Sequence, residues 1–99
     1  MGNDKNTALA AITSYVAKNG GRCSEWYAGI AANPRRRLFN DHAVRESGDA
    51  WIYHPCNSSD AARDVEDSLF RLGMKGGPGG GDDSTGFVYA YKIAHHTIE

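Results

Sequence analysis

The chain is 99 residues long, with 11 basic and 12 acidic side chains and a net charge of −1. That length suits one small domain with a single modest core. Hydrophobic residues at 40% and charged residues at 23% exclude a wholly disordered chain, and the near-zero net charge excludes a globally basic nucleic-acid binder.

The periodicity predicts a first helix over residues 7–18. Leu9, Ile12 and Val16 share one face there, with Ala8, Ala11 and Tyr15 beside them, and Asn19-Gly20-Gly21 ends it. SEWYAGIA, 24–31, reads as a strand on its aromatic and β-branched content. Asn33 followed by Pro34 marks a helix start, and the helix is expected to run to about Glu46, where Ser47-Gly48-Asp49 breaks it. AWIYH, 50–54, is a short strand stopped by Pro55. Asn57-Ser58-Ser59-Asp60 is rich in N-cap residues, and a third helix is expected to about Leu72, with Ala62, Val65, Leu69 and Leu72 as its apolar stripe and Gly73 as its stop. Residues 73–85 are glycine-rich and predict an irregular loop. GFVYAYKIA, 86–94, places Phe87, Tyr89, Tyr91 and Ile93 on one side of a final strand, and the HHTIE tail is expected to fray. The order α-β-α-β-α-β gives an α+β domain, a small three-stranded sheet flanked by three helices, as one unit over 1–99.

Several function classes drop out. No apolar run approaches 18 residues, so no membrane span is expected, and the N-terminus lacks the pattern of a secretory signal. Cys23 and Cys56 make no disulfide framework, so free thiols and a cytoplasmic location are the expectation. The glycine loop lacks the Gly-Lys-Ser/Thr ending of a phosphate loop, and Cys23, His54, Cys56, His95 and His96 lack regular zinc spacing.

The unusual feature is the arginine run. Arg35, Arg36 and Arg37 fall in the first turn of the second helix, where the dipole disfavours cations by roughly a few tenths of a kcal/mol each. A helix start carrying three guanidinium groups is a poor place for stability and a good place for a phosphate. Tyr27 and Gly29 form a Tyr-x-Gly on the preceding strand, with Arg37 ten residues and His42 fifteen residues after Tyr27. Glu66 lies about 80° from the centre of the third helix's apolar stripe, at the edge of the core.

This constellation resembles the GIY-YIG nuclease superfamily. In that family a Tyr-x-Gly strand leads into a helix with an arginine ten residues after the tyrosine, usually with a histidine about one turn further. A later helix presents a metal-binding glutamate. The matching positions are Tyr27, Gly29, Arg37, His42 and Glu66, within residues 25–72. The chain departs from the pattern in three ways. The Gly-Ile-Tyr strand that normally opens the family is absent before Tyr27, and its nearest counterpart is GFVYAY, 86–91, at the other end. A circularly permuted arrangement is therefore expected, with the last strand beside the Tyr27 strand and Tyr89 or Tyr91 in the place of the missing tyrosine. His42 comes one residue later than the family's spacing, and no asparagine follows Asn57 where the family often has one after the glutamate.

The resemblance implies a divalent-metal-dependent endonuclease acting on nucleic acid, DNA ahead of RNA, with a possible protein partner for targeting. Glu66 would hold one Mg²⁺ or Mn²⁺ ion, Arg37 would contact the scissile phosphate, and Tyr27 or Tyr89 would orient or deprotonate water. His42 would assist, while Arg35 and Arg36 would bind the backbone. Each residue also has an ordinary reading. The arginines suit a solvated face, Tyr27, Tyr89 and Tyr91 suit a core, His42 suits the flank of that core, and Glu66 has the spacing to pair with Arg63 or Arg71. Two other functions stay open: a nucleic-acid-binding module without cleavage, and a protein-interaction domain using the first helix or the glycine loop.

Overall fold

A computed structural model describes residues 5–20, 22–76 and 86–99. It is a small α+β domain of three helices and one three-stranded antiparallel sheet. The first helix, α1, spans Lys5–Asn19 and buries Ala8, Ile12 and Val16, the four-residue spacing of one helical face. The Asn19 side chain donates to the Tyr15 carbonyl at 2.9 Å at its end.

The first strand, β1, spans Trp26–Ala31 rather than beginning at residue 24. Ser24 and Glu25 belong instead to a 3-10 turn, Cys23–Glu25, held by the Arg22 amide on the Glu25 carboxylate at 2.9 Å. All six residues of β1 are buried, because both faces of the sheet are covered. Trp26, Ala28 and Ile30 join Val88 and Ala90 in a core under α1 and the third helix. Tyr27 and Ala31 join Leu38, Val44, Tyr89 and Tyr91 in a second core on the opposite face.

The second helix, α2, is shorter than the sequence predicts. One α-turn, Pro34–Arg36, runs into a π-helical stretch, Arg37–Asp41, and helix ends there instead of near Glu46. The His42 amide bonds the Arg37 carbonyl at 2.9 Å, Val44 bonds Leu38 at 3.0 Å, and Ala43 between them takes φ 57. This left-handed residue cannot continue a right-handed helix, and it stops α2 before the Ser47-Gly48 signal is reached. The Asn33 cap is present, its side chain accepting from the Arg36 amide at 3.2 Å.

Strand β2 spans Trp51–Pro55, shifted one residue from the expected 50–54. It is an edge strand, where proline's missing N–H leaves the ladder intact, so Pro55 sits within it. Helix α3, Ser59–Arg71, starts at Ser58, whose side chain accepts from the Ala61 amide at 3.1 Å. Ala62, Val65 and Leu69 are buried as the stripe predicts, but Leu72 is 52% exposed. The helix ends first. Gly73, at φ 111, bonds Phe70, and Met74 bonds Leu69, which is the Schellman pattern. Met74 is thereby folded back into the core in place of Leu72.

The last strand, β3, spans Phe87–Lys92, within the expected 86–94, and lies at the centre in the order β1-β3-β2. Tyr27 pairs with Tyr91 and Gly29 with Tyr89 on one side; Trp51 pairs with Tyr91 and Tyr53 with Tyr89 on the other. Residues 95–99 do not fray. The Ile98 amide donates to the His42 carbonyl at 2.8 Å, and His96 Nε2 meets Asp49 at 2.6 Å. Lys75 makes a one-residue parallel bridge with Tyr27 that covers part of the outer edge of β1. Residues 77–85 of the glycine loop lie outside the described residues.

Candidate functional site

The second core is aromatic and polar at once, and it gathers most of the singled-out residues. Tyr89 and Tyr91 alternate on β3 and so face the same side as Tyr27. The Tyr27 and Tyr91 rings stack with centroids 5.2 Å apart, and the Tyr27 ring lies 4.8 Å from the His42 imidazole. His42 is only 5% exposed and is the one buried polar or charged residue among those described.

Gly29 makes room for Tyr89. The two are cross-strand partners, and a Cβ at Gly29 would fall on the hydroxyl and Cζ of Tyr89. Gly29→Ala is expected to push this ring from its seat and cost about 1–3 kcal/mol, the usual range for overpacking. Chemical denaturation checks the loss. A neutral substitution would mean the ring has another place to go.

Both nitrogens of His42 are used. Nδ1 lies 2.6 Å from the Ile98 carbonyl oxygen, which can only accept, so Nδ1 carries the proton. Nε2 is then left as an acceptor for the Tyr89 hydroxyl at 2.8 Å. The Tyr91 hydroxyl donates to the same Ile98 carbonyl at 3.2 Å, with its oxygen 3.2 Å from Nδ1. Burial lowers the His42 pKa from its ordinary value of 6.5, although the Ile98 carbonyl works the other way. The ring is therefore neutral at neutral pH and able to take a proton.

Arg37 completes this group from α2. Its guanidinium lies near the Tyr89 hydroxyl, and this polar interaction is the main reason it holds its own proton more tightly. It also lies 3.6 Å from Asp41, half exposed. Burial pushes the Tyr89 hydroxyl up to about 12, with Arg37 pulling it back and Tyr27 and Glu66 adding to the rise. Tyr89 therefore stays protonated at neutral pH.

Glu66 sits at the core edge on α3, partly buried. Burial, then neighbouring Asp67, raises its pKa to about 7, against a weaker pull from Arg63. Of the two arginines that the sequence offers as partners, Arg63 is the one whose charge acts on Glu66. The Glu66 charge is felt at the Tyr89 hydroxyl.

The other two arginines differ. Arg35 is occupied: it pairs with Glu46 at 2.9 Å, lies 5.1 Å from the centre of the Phe39 ring and contacts Tyr53. Arg36 is exposed, with no side-chain partner among the described residues. The start of α2 is not an open row of amides either, since Asn33 takes the Arg36 amide. Phosphate binding here would rest on guanidinium groups, not on the helix dipole.

Among the described residues no three of His, Cys, Asp or Glu come together as a ligand set. A partly buried carboxylate such as Glu66 fits one hard divalent ion of the magnesium kind, which binds through one or two carboxylates and keeps its waters. The sequence reading missed the Ile98 carbonyl and the engagement of Arg35. The first is a backbone group with no residue-type signal, and the second needs the position of Glu46. No protein-family model, no curated protein and no solved structure matches the chain.

Proposed function

We propose that this protein is a divalent-metal-dependent endonuclease built on a permuted GIY-YIG scaffold. The observation that carries this reading is the meeting of Arg37, Tyr89 and His42 in one contact chain beside Gly29. Two further observations support it. The last strand lies beside the Tyr27 strand, where a permuted tyrosine strand is required. The extra residue before His42 is taken up by the π-helical stretch, which ends on His42 and turns it inward.

The chain's own residues suit phosphodiester hydrolysis. Tyr89 is too weak an acid to exist as tyrosinate at neutral pH, so its hydroxyl acts as a relay. As water gives a proton to the Tyr89 oxygen, Tyr89 gives its own proton to His42 Nε2. The water oxygen forms the new bond to phosphorus, and the leaving oxygen departs with the bonding pair and takes a proton from solvent. Arg37 holds the non-bridging oxygens by charge-assisted contacts, and exposed Arg36 adds a backbone contact. Glu66 would hold one Mg²⁺ or Mn²⁺ ion, and the ion would supply Lewis-acid charge stabilisation. Tyr27 packs the histidine and Tyr91 in place.

One observation favours a second reading, a nucleic-acid-binding module without cleavage. A carboxyl titrating near 7 is half protonated at neutral pH and then a weaker metal ligand. One experiment separates the two. Single-stranded, duplex and branched DNA and RNA are incubated with Mg²⁺, Mn²⁺ or chelator, with wild type beside Arg37→Ala. The nuclease reading expects metal-dependent cutting that falls about 10²–10³-fold in Arg37→Ala, the range for losing one preorganised charge contact. Cutting of equal rate in both proteins sinks it. Salt-sensitive binding without cutting, weakened in Arg37→Ala, establishes the binding module.

A further inference from the structure

We propose that the C-terminal segment is part of the active site, with the Ile98 backbone locking His42 in the tautomer that accepts a proton from Tyr89. The catalytic consequence rests on the nuclease reading above; the lock itself does not.

The geometry is a two-point clamp. The Ile98 amide donates to the His42 backbone carbonyl at 2.8 Å. The Ile98 carbonyl accepts from His42 Nδ1 at 2.6 Å and from the Tyr91 hydroxyl at 3.2 Å. One residue thus holds both the main chain and the ring of His42. Its side chain takes no part, being 59% exposed. Apolar burial therefore does not dock this segment; backbone hydrogen bonds and its neighbours do.

Those neighbours tie the segment down on either side. Thr97 closes a turn onto Ala94, with its hydroxyl donating to the Ala94 carbonyl at 2.8 Å and accepting from the Ala94 amide at 3.0 Å. His96 Nε2 meets the Asp49 carboxylate at 2.6 Å, and the same carboxylate oxygen accepts from the Arg45 amide at 2.8 Å. The segment is anchored to the turn that follows His42, and this aims Ile98 at the ring.

The chemical effect is directional. A neutral imidazole has one protonated and one bare nitrogen, and the partner of one nitrogen decides the state of the other. A carbonyl at Nδ1 leaves Nε2 bare, facing Tyr89 at 2.8 Å. With Nδ1 freed, the ring could carry its proton on Nε2 and would then donate to Tyr89 instead of accepting from it. Ile98 is thus a positioning residue that acts through His42.

The backbone character of the clamp sets the test. Ile98→Pro removes the amide donor and redirects the chain, whereas Ile98→Ala keeps both backbone groups. The tautomer of His42 is read from imidazole ¹⁵N shifts in the labelled 99-residue protein, and cleavage is measured beside it. The expected result is a single Nδ1–H tautomer in wild type and Ile98→Ala. Ile98→Pro should show a mixed or reversed tautomer, with cleavage reduced about 10–100-fold, the range seen when an orienting partner of a functional histidine is lost. Wild type with the proton on Nε2 overturns the lock by itself, even if Ile98→Pro does not fold. An unchanged tautomer in folded Ile98→Pro overturns it too. A wild type with the expected tautomer that cuts no substrate overturns only the catalytic consequence, and with it the nuclease reading.

Discussion

Tyr89→Phe should lower cleavage by about 10²–10⁴-fold, the range for losing a positioned proton-transfer group, while the fold survives. Phenylalanine fills the same space beside Gly29 and keeps the ring in the second core. What it removes is one oxygen, the one that meets both His42 Nε2 and Arg37. The buried imidazole then lacks its donor, and stability should drop by about 1–3 kcal/mol. Tyr91→Phe is the control. Its hydroxyl shares the Ile98 carbonyl with His42, but the shorter Nδ1 contact at 2.6 Å remains. Tyr91→Phe should therefore also cost stability yet keep cleavage within about tenfold of wild type. Rates for the two variants on the best substrate decide the matter. Equal losses would mean that the hydroxyls matter only for packing.

Glu66→Gln should make the protein more stable at pH 8 with chelator present, and no more stable near pH 4. The sign follows from the raised pKa. An ordinary glutamate titrates at 4.5, whereas Glu66 in the fold titrates at about 7. Between those values the folded chain keeps a proton that the unfolded chain has shed. Stability therefore falls as pH rises from about 4.5 to 7, and stays reduced above that. Burial is the main cause, Asp67 adds to it and Arg63 opposes it. Glutamine carries no charge and escapes this loss, by on the order of 1–2 kcal/mol once the full shift is discounted for partial solvent exposure. That is a rise in melting temperature of roughly 4–16 °C for a domain of this size. Mn²⁺ or Mg²⁺ at pH 8 should stabilise wild type and leave Glu66→Gln unmoved, because an ion that binds only the folded state shifts the equilibrium toward it. Melting curves across pH, with and without metal, test both statements. A Glu66→Gln curve parallel to wild type at every pH would remove the carboxyl from its buried setting. Metal stabilisation that survives in Glu66→Gln would place the ion elsewhere.

His42 responds to pH in the opposite sense. Its folded pKa lies below 6.5, so its contribution to stability is complete above 6.5 and declines as pH falls toward the folded value. Glu66 and His42 therefore pull stability in opposite directions as pH changes, Glu66 favouring the acid side and His42 the neutral side. Arg37, His42, Glu66 and Tyr89, which the proposed chemistry uses, are all held away from their ordinary titration by the fold.

Much of this was legible in the chain itself. Helix faces follow from spacing, so Ile12 and Val16, and Ala62, Val65 and Leu69, were identifiable as buried. Caps are local side-chain chemistry, so Asn33, the polar cluster at 57–60 and Gly73 marked helix ends, and the fold takes Ser58 from that cluster as the cap. Alternation is local as well, so Tyr89 and Tyr91 could be placed on one face of one strand. Three features needed the tertiary structure. The pairing of residues 26–31 with 87–92, and the central place of β3, join segments whose separation no periodicity encodes. The π-helical stretch and left-handed Ala43 override a continuous helical pattern, and they put His42 into the core at a spacing that a regular helix would have turned away. The clamp by Ile98 uses main-chain groups, which every residue carries and no sequence motif announces. Residue types and short-range spacing are written in the sequence. Burial, and with it the titration of Glu66 and the tautomer of His42, exists only once distant segments have come together.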